Sequence, residues 1–348
     1  MDLPSSNYVF INTDGVLQKL INELRPSKIA VLVDENTSEF CLPTLLEMLD
    51  YQVEVIQIKS GESHKNLKTC KKVWRHMLAD KLDRDAVLIN LGGGVICDLG
   101  GFCASTYMRG IKFIHVPTTL MAQADAAIGG KQGVDFDDLK NIVGVFNMPY
   151  ATVVYTEFLQ TLPYRHMLSG FAEIVKSALI ADAEMWRALL SMDINLRSLN
   201  IIPLIEKTIE IKKSFVESDP FEKNIRKALN FGHTIGHAIE THHLRIGNEL
   251  HHGEAVAIGM IMESYLSFAK GLLSYEDCIE IKSYIKSVFG NKYKSLPDID
   301  SLIEIMQSDK KSRNGKIMFT LLNGIGNYKT NQEVDYQLLP SAINDYLN

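Results

Sequence analysis

The sequence predicts an α/β domain of nucleotide-binding type followed by a mainly α-helical domain. Short β-branched runs alternate with helix-length segments in the first half, a glycine triplet closes one of those runs, and long amphipathic stretches with clustered histidines fill the second half. The runs KIAVLVDE (28–35), QVEVIQIK (52–59), AVLINLGGG (86–94), KFIHVP (112–117) and ATVVYTE (151–157) are the expected strands. Apolar runs separated by helical patterns make a parallel sheet with crossover helices. Beyond residue 160 the amphipathic stretches run from Gly170 to Met192, from Ile202 to Val216, through the histidine segment, from Glu254 to Leu273 and over 277–289. KIMFTLLNGIGNYKT (316–330) reads as a hairpin with Asn323-Gly324 at its turn, and the domain boundary is expected at Leu162-Pro163.

A chain of 348 residues exceeds one ordinary core and fits two domains. With 46% hydrophobic and 22% charged residues it belongs to neither the disordered nor the membrane class. A net charge of −6 argues against nonspecific nucleic-acid binding while leaving room for a local basic pocket. Cys41, Cys70, Cys97, Cys103 and Cys278 are odd in number and lack CxxC spacing, so they read as reduced, buried thiols of a cytoplasmic protein. MDLPSSNYVFINTDG carries an acidic residue and no long apolar core, so no secretory signal is expected. No apolar run approaches about 18 residues, so no transmembrane helix is expected either.

Gly92, Gly93 and Gly94 follow the strand AVLINL and precede the helix-like VICDLGGFCAS. Glycines there let backbone amides approach a phosphate at a helix N-terminus. A plain tight connection accounts for them equally, and GxGxxG is not met because Cys97 stands at its third glycine. Asp34, ending an early strand, suits a ribose hydroxyl and suits a helix N-cap as well. In a stretch that also holds Thr118-Thr119 and Asp125, the lysine beside glycines at Gly129-Gly130-Lys131 and that of Lys140-Asn141 offer point charge and accessible amides to a phosphate or carboxylate. Their spacing is not that of a Walker loop, and the lysines also suit a solvated surface.

In GHTIGHAIE (232–240), His233 and His237 lie four apart on one helical face, and His251-His252 follow in LHHGEAVAIGM (250–260). Two imidazoles at that spacing can share a metal, although a surface or core coincidence produces the same pattern. Gly232, Gly236 and Gly253 around them point to helices packed closely about a polar pocket.

GGGVICDLGGF, YMRG, PTTLMAQADAAIGGK, Lys140-Asn141, AEIVKSALI, RKALNFGHTIGHAIE, HGEAVAIGM and the DKK at 309–311 together resemble the 3-dehydroquinate synthase family of sugar-phosphate cyclases, in the family's order over residues 28–325. The resemblance implies a Rossmann-like α/β domain at 1–162 that binds NAD and a mainly α-helical domain at 163–348 that binds metal and substrate. It implies Zn2+ or Co2+ on Glu173, His233 and His252, with His237 turned to the substrate and His251 a neighbour only. Substrate contacts would come from Asp125, Lys131, Asn141, Lys176, Lys212, Arg226, Asn230, His237 and Lys310, with Arg109 reaching the other active site of a homodimer. NAD contacts fall on Asp34, Glu62, Lys65, Gly93, Gly94, Val95, Asp98, Thr118, Thr119, Lys140, Asn141, Phe158, Thr161 and Leu162.

The reaction so implied belongs to the shikimate route to aromatic amino acids and turns 3-deoxy-D-arabino-heptulosonate 7-phosphate into 3-dehydroquinate and phosphate. The C5 hydroxyl is oxidised with NAD, phosphate is eliminated as the acidified C6 proton leaves, C5 is reduced again, and ring opening with aldol closure forms the carbocycle. Lys131, Asn141, Lys176, His237 and Arg109 would hold the phosphate, and Lys212 with Arg226 the carboxylate. The chain departs from the family pattern at Cys97, Gln132, Asp135, Pro220 and Asn224, and in a longer spacing from His237 to His252. A metal-dependent polyol dehydrogenase, a sister cyclase making an inosose, valiolone or amino-quinate ring, and a non-catalytic paralogue are the alternatives. The crowd of cations disfavours the first, and retention of every expected ligand disfavours the last.

Overall fold

The computed structural model describes residues 8–137, 139–248, 250–290, 296–308, 312–313 and 316–348. The chain divides into two units, Met1–Pro163 and Tyr164–Asn348. The first runs β1 (Tyr8–Ile11), α1 (Val16–Leu24), β2 (Ile29–Asp34), α2 (Glu35–Phe40), α3 (Leu42–Glu47), β3 (Glu54–Ile58), α4 (Leu67–Ala79), β4 (Val87–Gly92), α5 (Gly94–Thr106), β5 (Lys112–Pro117), β6 (Lys131–Phe136), β7 (Leu139–Phe146) and β8 (Ala151–Val154).

All five expected strands lie in one parallel sheet of order β1-β8-β5-β4-β2-β3, with β1 added at its edge. Alternate residues of the inner strands serve two cores. Val31, Val33, Val87 and Ile89 pack with Leu17, Ile21 and Leu45 on one face. Ala30, Leu32 and Leu88 pack with Val73, Met77, Leu99 and Cys103 on the other. Burial on both sides is why these strands read as unbroken apolar runs. From β2 the chain steps outward one way to β3 and the other way to β4, so the carboxyl ends of β2 and β4 flank the point where strand order reverses. Open parallel sheets bind ligands at such a point. A separate antiparallel pair, β6 and β7, holds Lys131, Lys140 and Asn141, whose charges and amides suit a phosphate or carboxylate. Gly133 sits opposite Gly144 in that pair, and polar Lys131, Asp135 and Asn141 interrupt the alternation that would have announced it.

The second unit holds α6 (Tyr164–Ala181), α7 (Ala183–Ser191), α8 (Ile202–Ser218), α9 (His233–Arg245), α10 (His252–Ala269), α11 (Tyr275–Phe289), α12 (Ile299–Ser308), β9 (Ser312–Arg313), β10 (Lys316–Leu322), β11 (Tyr328–Glu333) and α13 (Leu339–Leu347). The stretch expected as one helix over 170–192 is two, because Asp182 stops α6 and caps α7 by accepting Glu184 N at 3.0 Å and Met185 N at 2.9 Å. The hairpin of β10 and β11 forms, with a turn wider than Asn323-Gly324: Asn323 N donates to Asn327 O at 3.0 Å, and both Gly324 and Gly326 have positive φ. α10 packs against α6, α9, α11 and α13. It is apolar nearly all round, as a helix enclosed on every side must be. Among the described residues no helix is long and apolar enough to cross a membrane.

Candidate active site

In the first unit, Gly93 opens α5 at the strand-order reversal without a capping side chain, which leaves the Gly94 and Val95 amides at a helix N-terminus. Beside them, buried Lys65 donates from Nζ to Asp98 Oδ2 and to Asn141 Oδ1, both at 2.7 Å. Glu62 lies 3.8 Å from the same nitrogen, and Lys140 lies 4.0 Å from Glu62. Burial alone would lower the Lys65 pKa, but Asp98 and then Glu62 raise it above the ordinary lysine value, so the ammonium stays charged. The structure thus gathers Glu62, Lys65, Asp98, Lys140 and Asn141 into one cluster.

Asp135 belongs to this cluster. Its amide donates to Lys65 O at 2.8 Å, and its Oδ1 accepts Asn141 N at 2.7 Å, holding Asn141 at a φ of 52°. Burial raises the Asp135 pKa. Cys97, the other departure here, is fully buried with Sγ 3.8 Å from Gly92 O.

Asp34 caps α2 by accepting Thr37 N at 2.8 Å, the second of its two readings. Thr118 N donates to Gly92 O at 3.0 Å, and Thr119 Oγ1 accepts Ala122 N at 3.2 Å. The Phe158 ring is part of the hydrophobic core. Thr161 Oγ1 bonds back to Phe158 O, and Leu162 N to Leu159 O, so these three residues finish a turn. Lys131 is exposed at the start of β6, and Asp125 is half-buried on the turn 122–126. Arg109 follows Met108 on backbone with positive φ at both residues, 69° and 49°.

In the second unit three helices bring their ends together. Glu173, on α6, is completely buried. Its Oε1 lies 3.5 Å from Nε2 of His233 and 3.5 Å from Nε2 of His252, the first residues of α9 and α10. Each imidazole is aimed from its far edge: His233 Nδ1 lies 3.0 Å from Phe231 O, and His252 Nδ1 lies 3.2 Å from Glu240 Oε2. One ring nitrogen each from His233, His237 and His252 lies within 4.8 Å of the others. Ring centroids of His237 stand 5.2 and 5.5 Å from those of His233 and His252, so the histidine pair noticed in the sequence does converge.

Glu173 Oε1 is a buried acceptor without a hydrogen bond, facing two imidazole nitrogens. A divalent cation supplies what that arrangement lacks, and one carboxylate with two or three imidazoles is a donor set of the kind that holds catalytic zinc or cobalt. Lys176 bonds Glu173 through the other oxygen. Burial opposes the Glu173 charge, but Lys176 and His252 hold its carboxyl well below the usual carboxylate range. Arg165 grips Glu254 through both oxygens at 2.8 and 2.7 Å, and Gly253 N donates to Ser169 Oγ at 3.0 Å. These bonds fix the first turn of α10 on α6 and so set His252 opposite Glu173.

Lys212 and Arg226 are both buried, on α8 and on the turn 225–230 that packs against α8 and α6. Arg226 donates from Nη1 to Pro220 O at 2.7 Å, and Asn230 Nδ2 donates to Glu222 Oε1 at 2.8 Å. The loop with the two departures, Pro220 and Asn224, folds around Asp219, which accepts Asn224 N at 2.6 Å, Lys223 N at 2.9 Å and Arg226 N at 3.2 Å. Lys310 lies outside the described residues. Glu240 was not among the expected site residues, yet its place seven after His233 on the same helical face was a readable signal.

The chain matches the family model described as 3-dehydroquinate synthase N-terminal over residues 55–169, and that described as 3-dehydroquinate synthase C-terminal over residues 170–312. It is 37% identical over 332 residues to the 3-dehydroquinate synthase of Parabacteroides distasonis, covering 95% of this chain and 94% of that one. Identity to the enzyme of the same name from Campylobacter concisus is 40% over 344 residues, covering 98% and 96%. Among solved structures, 2-epi-5-epi-valiolone synthase from Streptomyces hygroscopicus, with NAD+ and Zn2+ bound, matches with a TM-score of 0.85 at 26% identity, covering 99% of this chain and 98% of that one. With both halves of the family matched and this degree of identity sustained over nearly the whole length, the chain belongs to the 3-dehydroquinate synthase family of enzymes.

Proposed function

We propose that the protein converts 3-deoxy-D-arabino-heptulosonate 7-phosphate to 3-dehydroquinate and inorganic phosphate, as a homodimer in the cytoplasm. The observation that carries this reading is the unsatisfied Glu173 Oε1 aimed at Nε2 of His233 and His252, in a chain matched by both halves of the family model. NAD, held by the amides of Gly94 and Val95 and by the cluster around Lys65, would take up and return one hydride, and Zn2+ or Co2+ on Glu173, His233 and His252 would polarise the neighbouring hydroxyls. As the family resemblance implies, Lys131 and Lys176 would offset the phosphate charge and Asn141 and His237 would hydrogen-bond it, and the phosphate would carry off the C6 proton as its C–O bond breaks, so that no separate protein base would be required. Lys212 and Arg226 take the carboxylate, and their burial strengthens that interaction. Asp125, Asn230 and Lys310 complete the substrate set, and Arg109 reaches the second subunit's site.

Purified protein supplied with the heptulosonate phosphate, NAD and metal is expected to release phosphate without lasting absorbance at the NADH band, and a chelator is expected to stop the release. Stoichiometric NADH would point to a dehydrogenase instead. No phosphate release from the fully loaded protein would reject this substrate and redirect the search to those of the sister cyclases.

A further inference from the structure

α9 begins without the means to cap itself. Its N-cap is Gly232, at a φ of 77°, and its third residue is Ile235, so neither side chain can accept a backbone proton. In a capping box the N-cap side chain accepts the N3 amide, and the N3 side chain accepts the N-cap amide. Both bonds are present here, supplied by one carboxylate from another helix. Glu263 Oε2 accepts Gly232 N at 2.7 Å, and Glu263 Oε1 accepts Ile235 N at 3.1 Å. Between those two amides lies His233, the first residue of α9.

Glu263 is completely buried on α10, eleven residues after His252 and on the same helical face. It reaches α9 because Gly259, one turn earlier, lets the two backbones touch: a Cβ there would lie 2.0 Å from Gly232 O and 2.8 Å from Gly236 N. A buried carboxylate is costly unless its oxygens are well bonded, so its presence in an otherwise apolar stretch of α10 calls for an explanation. Stability alone does not supply one, since an apolar side chain at 263 beside a helix with its own serine or aspartate cap would serve as well.

We infer that Glu263 is a positioning residue for the metal site: by capping α9 from α10 it fixes the backbone on both sides of His233 and ties that ligand to the helix that carries His252. The inference rests on His233 being a metal ligand. Supporting groups beyond the ligands typically change metal affinity about 10- to 100-fold. Glu263→Gln preserves volume but turns one acceptor into a donor facing an amide.

The test is a Co2+ titration of the metal-free full-length protein, followed by its visible absorption and by competition with a chelator, for wild type, Glu263→Gln and His233→Ala. The expected result is that His233→Ala loses the spectrum, while Glu263→Gln binds Co2+ at least about tenfold more weakly with altered band intensities. A Glu263→Gln protein with lowered thermal stability but wild-type affinity and spectrum would overturn the inference while leaving the metal reading intact. A His233→Ala protein that binds as wild type does would overturn both. Hydrogen exchange of metal-free wild type gives a check that needs no variant to fold. Gly232 and Ile235 amides protected like the core are expected, and rapid exchange at both would overturn the inference.

Discussion

Glu240 Oε2 lies 3.2 Å from Nδ1 of His252, on the ring edge opposite the Nε2 that faces Glu173. A carboxylate in that place fixes the tautomer and the rotation of the imidazole and makes its far nitrogen a better donor to a metal. Glu240→Gln keeps the shape of the contact and removes the charge. It should weaken metal binding about 10-fold or more without unfolding the protein, as read from chelator competition on a protein whose circular dichroism is unchanged.

His237 stands as close to His233 and His252 as they stand to each other, so distance does not sort ligand from substrate contact. The unsatisfied Glu173 Oε1 lies 3.5 Å from Nε2 of both His233 and His252. His233→Ala should therefore lose bound metal and turnover together, whereas His237→Ala should keep its metal and lose mainly rate. Metal analysis of the two purified variants decides, and a His237 variant stripped of metal would make that residue a third imidazole ligand.

How much of this was legible in the sequence depends on whether a residue's partners lie near it along the chain. The strands 29–34 and 87–92 were readable because burial on both faces leaves unbroken apolar runs. The pair β6 and β7 was not, because glycines and two polar residues tied to Lys65, Asp135 and Asn141, disrupt its alternation. His233, His237 and Glu240 repeat on one helical face and could be found by spacing. Glu173 stands in an apolar stretch of α6 with no sequence relation to either histidine, so only the family resemblance pointed to it. Glu263 could not be found at all, since a glycine at the start of α9 shows that a cap is missing and says nothing of where its substitute comes from.

The crossing of α9 and α10 makes a separate prediction about packing. Because a methyl at position 259 would meet backbone atoms, which cannot rotate away, Gly259→Ala must push the helices apart. Overpacking typically costs about 1–3 kcal/mol, and a backbone clash at this distance belongs at the upper end. The variant should melt at a lower temperature than wild type and lose metal to a chelator faster, because the same movement separates His233 from His252. Unchanged melting would mean that the two backbones do not meet at this glycine.

His115 provides a prediction about acid. It is buried on β5 with Nδ1 3.2 Å from Asn90 Nδ2 and Nε2 3.3 Å from Gln132 Nε2, one of the departures from the family pattern. Burial lowers its pKa to about 3, with the Gln132 contact opposing in part. An unfolded histidine titrates at about 6.5, so between pH 6.5 and 3 the unfolded chain binds a proton that the folded chain refuses. The stability contributed by neutral His115 is therefore complete above pH 6.5 and falls by about 1.4 kcal/mol for each pH unit below it. Between pH 7 and pH 5 the wild type should lose about 2 kcal/mol from this group, a loss that His115→Asn escapes even if its own stability at pH 7 is lower. Urea unfolding of both proteins at the two pH values gives the difference in slope, and equal slopes would mean that His115 can take up a proton in the folded sheet.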